Sequence, residues 1–338
     1  MARALNQVEI PINNFCVIRP APAKGHGIFA HCDIHPGTCI ISDPPMLKLP
    51  GAVMEPWELE AREIRALSLH ISEELKNVTK RQQAQFFSLS NTYKTGLGVF
   101  LGIAATNAMI IDFSTKECGI FPNAARINHA CRPNAMAIYH PDFNEVVVHV
   151  VKEVSKGEEI TISYIELTQV FSVRQEELRS KFGFSCICNL CMLSVNERAV
   201  SDIRRSAMRT LLNHIREEPV IMNEPLACLH NAHTAMLLQK EEGLLEVLAW
   251  MFYYDPLLIT MTHGDRARAR VFAEMAKAAS IVSYGMDHPI ALGANFLVDD
   301  PAGFGLSEKT ALWKLSVDEI PRDLSKEDFE TWLWKRDE

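Results

Sequence analysis

The sequence has no apolar run approaching the roughly 18 residues that a helix needs to cross a bilayer core. Its opening stretch, MARALNQVEIPINNF, lacks the continuous apolar centre of a secretory signal. Together these absences set the expectation of an intracellular protein, in nucleus or cytoplasm, without membrane attachment. Low-complexity tracts and collagen or coiled-coil signatures are missing as well, which excludes fibrous classes. So is a concentrated basic face. Lys and Arg number 34 against 42 Asp and Glu, a net charge of -8, and the basic run DIRRSAMR at 202–209 is interrupted by apolar positions. That run reads as the solvated face of a helix. Neutralising phosphates takes more, so direct nucleic-acid binding is not expected.

What is present suits an ordinary packed protein: 338 residues, 48% hydrophobic and 22% charged, long enough for one or two domains without a disulfide framework. Nine cysteines in an intracellular chain are expected as reduced thiols or metal ligands. Cys16, Cys32, Cys39 and Cys228 are scattered and read as packed core thiols. Three others crowd into FGFSCICNLC (182–191), as Cys186, Cys188 and Cys191. A closed structural zinc site takes four ligands, and C-x-C-x-x-C supplies three. The fourth must come from elsewhere. Cys131, within RINHACRPNA, is the best candidate, with Cys118 and His129 as alternatives.

Along the chain, FCVIRP, GIFAHCDI and HPGTCIIS alternate with turns and predict short strands up to the breaker DPP. From Trp57 to Tyr93 the apolar spacing changes to that of two short helices. GVFLGIAATNAMIIDF is compatible with either a helix or a buried strand. AIYHPDFNEVVVHVVKEV predicts a hairpin, and KGEEITISYI a turn and a further strand. Beyond Cys191 the periodicity is helical: ERAVSDIRRSAMRTLLNHIREE, PLACLHNAHTAMLLQKEEGLLEVLAWMF and DRARARVFAEMAKAASIVSYG. The expected class is α+β, with a β-rich domain over 1–191 that carries a helical insert at about 50–100, then an all-α domain over 192–338. The helices suit a plain bundle or tetratricopeptide-like hairpins equally, since no repeat signature recurs.

RINHACRPNA, GEEITISYI and FSCICNLC, taken together and in this order, resemble the motifs of the SET-domain methyltransferases, within them the SMYD-like branch. KGHGIFA with DIHPGTCI is similar to the N-terminal SET motif. The resemblance spans residues 24–191 and implies small sheets, a pseudoknot between the two C-terminal motifs, and a post-SET zinc loop at 182–191. It implies one structural zinc ion on Cys131, Cys186, Cys188 and Cys191, pinning Phe182 and Phe184 over the active site. It also implies S-adenosylmethionine as methyl donor and a lysine on a protein partner, histone or other, as acceptor, the enzyme acting as a monomer. Tyr164 is then the catalytic residue. Lys24, Gly25, His26, Gly27, Asn107, Asn128, His129, Tyr164 and Phe184 would contact the cofactor, and Phe182 would line the lysine channel.

Three departures stand out. His26 occupies a position often held by arginine or asparagine. The MYND finger is absent, because residues 44–100 contain no cysteine. Phe182 replaces a tyrosine of several relatives, which removes a hydroxyl near the acceptor nitrogen and predicts more than one methyl transfer. Three other readings remain open from sequence: a SET fold acting on a small molecule, a catalytically silent SET scaffold, and a zinc-dependent nucleic-acid binder, the last disfavoured by the acidic balance. The C-terminal helices, around SIVSYGMDHP, resemble the SMYD helical domain and would either wall the substrate groove or only stabilise the chain.

Overall fold

A computed structural model describes residues 9–93, 96–299, 309–310 and 312–336. Its contacts divide the chain into two units. The first runs to Ile165 and takes in Arg174–Cys186, whereas the second holds Glu166–Val173 and continues from Ile187.

The first unit contains three small sheets. Strands β1 (Ile10–Pro11), β2 (Cys16–Ala21) and β3 (Gly25–Ala30) form one edge of a five-stranded sheet; β4 (Cys39–Asp43) and β5 (Leu47–Leu49) belong to two others. Helices α1 (Ala61–Glu74) and α2 (Lys80–Phe87) follow, each opened by a reciprocal capping box, Glu60 with Glu63 and Thr79 with Gln82. Next come α3 (Gly98–Asn107), β6 (Ala108–Asp112), β7 (Glu117–Ile120), β8 (Asn128–His129), β9 (Ala135–His140), β10 (Glu145–Val150) and β11 (Glu159–Ile162). The sheet orders are β1-β2-β3-β11-β8, β4-β10-β9 and β5-β7-β6. Alternating β-branched residues fill the core between sheets with Ile18, Ile28, Ile40, Val146, Val148 and Ile160, while the insert helices pack Ile71, Phe86 and Leu101 against Leu49 and Ile120.

The pairing that matters most for function is parallel: Thr161 lies opposite Asn128 and Ile162 opposite His129, while Glu159 and Ile160 pair antiparallel with Phe29 and Ile28. Three distant motifs thus share adjacent strands. Asp43, buried at the end of β4, fixes the approach to β8 by accepting from the backbone N–H of Asn123 (2.7 Å) and Ala124 (3.1 Å) and from the Asn123 side chain (3.1 Å). These bonds satisfy donors at the start of the short turn 124–126 that leads into Asn128.

GVFLGIAATNAMIIDF proves to be both of its alternatives, helix through Asn107 and strand from Ala108. Helix α4 (Phe171–Phe182) follows, the first unit holding it from Arg174 onward. In the second unit are α5 (Val195–His214), α6 (Glu218–Asn223), α7 (Pro225–Glu241), α8 (Leu245–Thr262), α9 (Arg266–Tyr284), α10 (Pro289–Asp299) and α11 (Lys326–Trp334). Gly243, at φ 65°, breaks PLACLH…LAWMF into α7 and α8. Ser194 and Glu197 cap α5 reciprocally. Inside this unit Arg205 is fully buried against Glu242 (Nε to Oε2, 3.0 Å), which also accepts from Ser201 (2.7 Å). Removing Glu242 would leave the buried Arg205 without its carboxylate partner, a loss of about 3–5 kcal/mol, whereas Glu242 also lies 3.5 Å from Arg204. No helix among the described residues is long and apolar enough to cross a membrane.

The scattered cysteines divide. Cys16 and Cys228 are buried, as expected of core thiols, but Cys39 is exposed on its strand and Cys32 only partly covered. Cys32 still packs against the core between the sheets, so the expectation of core packing fails only for Cys39, which starts a strand with one side open.

Candidate active site and metal centre

The four thiols expected to share an ion do converge. Cys131, Cys186, Cys188 and Cys191 have sulfurs all within 4.8 Å of one another. A tetrahedral ion with Zn–S bonds of about 2.3 Å sets its sulfurs about 3.8 Å apart, and the Cys131 and Cys186 sulfurs stand 3.9 Å apart. The four thiols could therefore hold a metal ion, and an ion taking all four thiolates would have no position left for water. Cys118 does not join them. It is buried in β7 facing the Leu49 and Pro50 carbonyls (3.4 and 3.5 Å), and burial, with the Glu117 charge nearby, pushes its thiol up to about 12.

His129 sits beside the metal group in a different role. The backbone N–H of Tyr164 donates to its Nδ1 at 3.1 Å, so the ring hydrogen resides on Nε2, which lies 3.3 Å from the Cys131 sulfur. A single imidazole therefore connects the Cys131 thiol to the Tyr164 backbone. Both ring nitrogens face protein partners.

The loop after α4 is built to bring two more rings to this point. The helix ends at Gly183, whose φ of 69° is left-handed and whose N–H bonds the Arg179 carbonyl at 3.1 Å. A side chain there would press a Cβ to 3.1 Å from Thr92 Cβ. Phe182 and Phe184 flank this turn. Their ring centroids lie 5.0 and 6.4 Å from that of Tyr164, and His129 lies 5.4 Å from Tyr164 and 6.3 Å from Phe184. Four rings thus line one half-buried spot, an apolar surrounding that strips water from a group entering it. The Tyr164 hydroxyl donates to the Ile127 carbonyl at 2.5 Å. Burial, reinforced by the Glu159 charge, holds its pKa well above the ordinary phenol value.

At the other motif, Lys24 extends to Glu159 (2.6 Å), and the Asn128 amide donates to Glu159 (2.8 Å) and to the His26 carbonyl (3.1 Å). The His26 side chain itself is exposed. Gly27 is required by close approach: a Cβ would stand 2.6 Å from the Asn128 amide nitrogen and 2.9 Å from a Glu159 oxygen. Asn107, at the end of α3, is buried, with its amide nitrogen donating to Ser90 and Ile103 carbonyls, both at 2.7 Å.

Several supporting residues carried no sequence signal. Gln175 on α4 clamps both backbone groups of Cys186, accepting from its N–H and donating to its carbonyl at 2.9 Å each. The Tyr93 hydroxyl donates to the Lys181 carbonyl at 2.9 Å, next to Phe182. Glu159 lies inside a recognised motif, but its partners are 135 and 31 positions away. Only the fold reveals these pairings.

The sequence model of the family described as SET domain matches residues 25–165. Over 93% of its length, and 92% of the relative's, the chain is 31% identical to the histone-lysine N-methyltransferase set5 of Schizosaccharomyces pombe. It is 36% identical to the N-lysine methyltransferase SMYD2 of Homo sapiens over 31% of this chain, which spans only 27% of that protein. A solved structure of an active polycomb repressive complex 2 in the stimulated state overlays 86% of this chain and 34% of its own at 11% identity, with a TM-score of 0.29, too loose to transfer any feature.

Proposed function

This chain belongs to the SET domain family of methyltransferases, and we propose that it is a protein-lysine N-methyltransferase that draws on S-adenosylmethionine and holds one structural zinc ion. The observation that carries the reading is the cluster of Tyr164, His129, Phe182 and Phe184 beside four thiols whose sulfurs all lie within 4.8 Å of one another. The relatives' names support a lysine on a protein, histone or other, as the acceptor.

S-adenosylmethionine, when bound, supplies a methyl group on a positively charged sulfur. Lys24, the backbone at Gly25, His26 and Gly27, and the Asn128 side chain would receive its amino-acid end, since a cation beside an amide complements a zwitterion. Asn107 would offer its carbonyl end, its nitrogen being committed to backbone, and Phe184 a ring face. His129 has both ring nitrogens turned to protein groups, so it would meet the cofactor through its ring face or backbone. Zinc would be held by Cys131, Cys186, Cys188 and Cys191 and would stiffen the Phe182–Cys191 loop.

Methyl transfer requires a neutral amine in line with the methyl group. Lysine is ordinarily protonated, at a pKa near about 10.4, and desolvation among the rings of Tyr164 and Phe182 favours the neutral form. Tyr164 keeps its own proton, because its pKa is raised. With that hydrogen donated to Ile127, the phenol oxygen has lone pairs to accept from the incoming nitrogen. It thereby orients the amine without acting as a base. Phe182 brings no hydroxyl of its own to the channel, which leaves one group fewer to restrain a partly methylated nitrogen from turning for a second transfer.

Titration calorimetry on the zinc-loaded chain tests the reading. One S-adenosylmethionine bound per chain supports the enzyme, and absence of binding heat favours the silent scaffold.

A further inference from the structure

Glu159 divides its carboxylate between two partners that arrive from different strands. Oε2 pairs with Lys24, just before β3, at 2.6 Å; Oε1 accepts from Asn128, on β8, at 2.8 Å. The second bond has a consequence for Asn128. Its amide nitrogen has two hydrogens, and these go to Glu159 and to the His26 carbonyl. The amide oxygen is therefore oriented the other way, as an acceptor. Lys24 uses one of three ammonium donors on Glu159 and keeps two. The Glu159 and Lys24 side chains are 20% and 25% exposed, so the pair is partly open to solvent. Gly27 leaves the space the trio occupies, since a Cβ there would collide with both Asn128 and Glu159.

The result is a fixed acceptor beside a fixed cationic donor. An α-amino acid has the matching pair: an ammonium that needs an acceptor and a carboxylate that needs donors. We propose that Glu159 is a positioning residue for the amino-acid end of the methyl donor, holding the Asn128 amide in its accepting orientation and the Lys24 ammonium beside it. This rests on the proposed function, and it assigns Glu159 a role through Lys24 and Asn128 rather than through direct contact with the reacting atoms.

Binding of two probes to the full zinc-loaded chain tests it: S-adenosylmethionine, and 5′-methylthioadenosine, which retains the adenosine and sulfur but lacks the amino-acid end. Glu159→Gln replaces a charged double acceptor with a neutral amide whose one oxygen can accept from Lys24 or from Asn128 but not from both, and whose NH2 group opposes the remaining donor. Its affinity for S-adenosylmethionine should fall about 10- to 100-fold, the scale of a lost charged hydrogen bond. Affinity for 5′-methylthioadenosine should stay within about twofold. Lys24→Met should produce a similar selective loss, and the double variant should lose less than the two single losses multiplied. Unchanged S-adenosylmethionine affinity in Glu159→Gln overturns the proposal. An equal loss for both probes also overturns it, because it marks damage to the fold instead of the amino-acid subsite. Failure of the wild-type chain to bind S-adenosylmethionine would instead overturn the proposed function on which the inference stands.

Discussion

Gln175 offers a severe test of how the cysteine loop is held. Its side chain makes two bonds at 2.9 Å to the backbone of Cys186, and both residues are buried. Gln175→Ala leaves one donor and one acceptor without partners in a protected place. Each such group costs about 1–3 kcal/mol, and water entering the new space offsets part of the sum, which leaves about 2–4 kcal/mol in all. Because both groups belong to Cys186, one of the four thiols proposed to hold zinc, much of this should appear as weaker metal binding, about 10- to 100-fold. Gln175→Met serves as the companion, since it fills the volume without either bond. Competition with a chromophoric chelator on the full chain gives the affinities. Equal weakening in both variants is expected. If both hold zinc like wild type, or if only Gln175→Ala weakens, the clamp is refuted, in the second case in favour of a simple packing effect.

Other outcomes follow from the same geometry. His129→Phe retains the ring but removes the donor to Cys131, so in the cobalt-substituted protein the thiolate-to-metal charge-transfer band should move to lower energy; an unmoved band would contradict the hydrogen bond. Tyr93→Phe should release the Lys181 carbonyl, raising KM for the acceptor several-fold and altering the ratio of mono- to dimethyl product by mass spectrometry, with zinc content unchanged. A proportional loss of every parameter would point to general destabilisation instead. For pH, burial raises the phenol pKa of Tyr93, Tyr164, Tyr253, Tyr254 and Tyr284. The neutral phenol is therefore favoured in the fold: the stability it contributes is intact below about pH 10, the unfolded value, and is lost as pH rises through the folded values. Absorbance at 295 nm should accordingly report ionisation of these phenols together with loss of circular dichroism, and ionisation well before unfolding would contradict the burial.

The sequence was most legible where chemistry is written in short spacing. Cys186, Cys188 and Cys191 declare a ligand set by themselves, and the AIYHPDFNEVVVHV hairpin follows from β-branched runs around a turn. Cys131, 55 positions from Cys186, was the leading of three candidates for the fourth ligand on local grounds and was singled out by the family resemblance, which Tyr164 near Phe182 and Phe184 needed outright. The boundary at Asn107 was hidden because α3 is apolar on every side and so carries no period to separate it from the strand that follows. Gln175, Tyr93 and Glu159 were invisible for another reason. Gln175 and Tyr93 bind backbone, whose identity no sequence displays, and Glu159 binds side chains brought close only by the β8, β11 and β3 pairing. Cys39 misled because a strand-start residue with an apolar character can still face outward.

The most direct measurement follows where a labelled methyl group goes. Zinc-loaded wild type and Tyr164→Phe are incubated in parallel with S-adenosylmethionine labelled on its methyl and a whole-cell lysate, and the products are hydrolysed and separated. The wild-type chain should deposit label as methyl-lysine in protein, with the variant slower on the order of a hundredfold. Label confined to small molecules, equal labelling by both chains, or none from wild type would contradict the account.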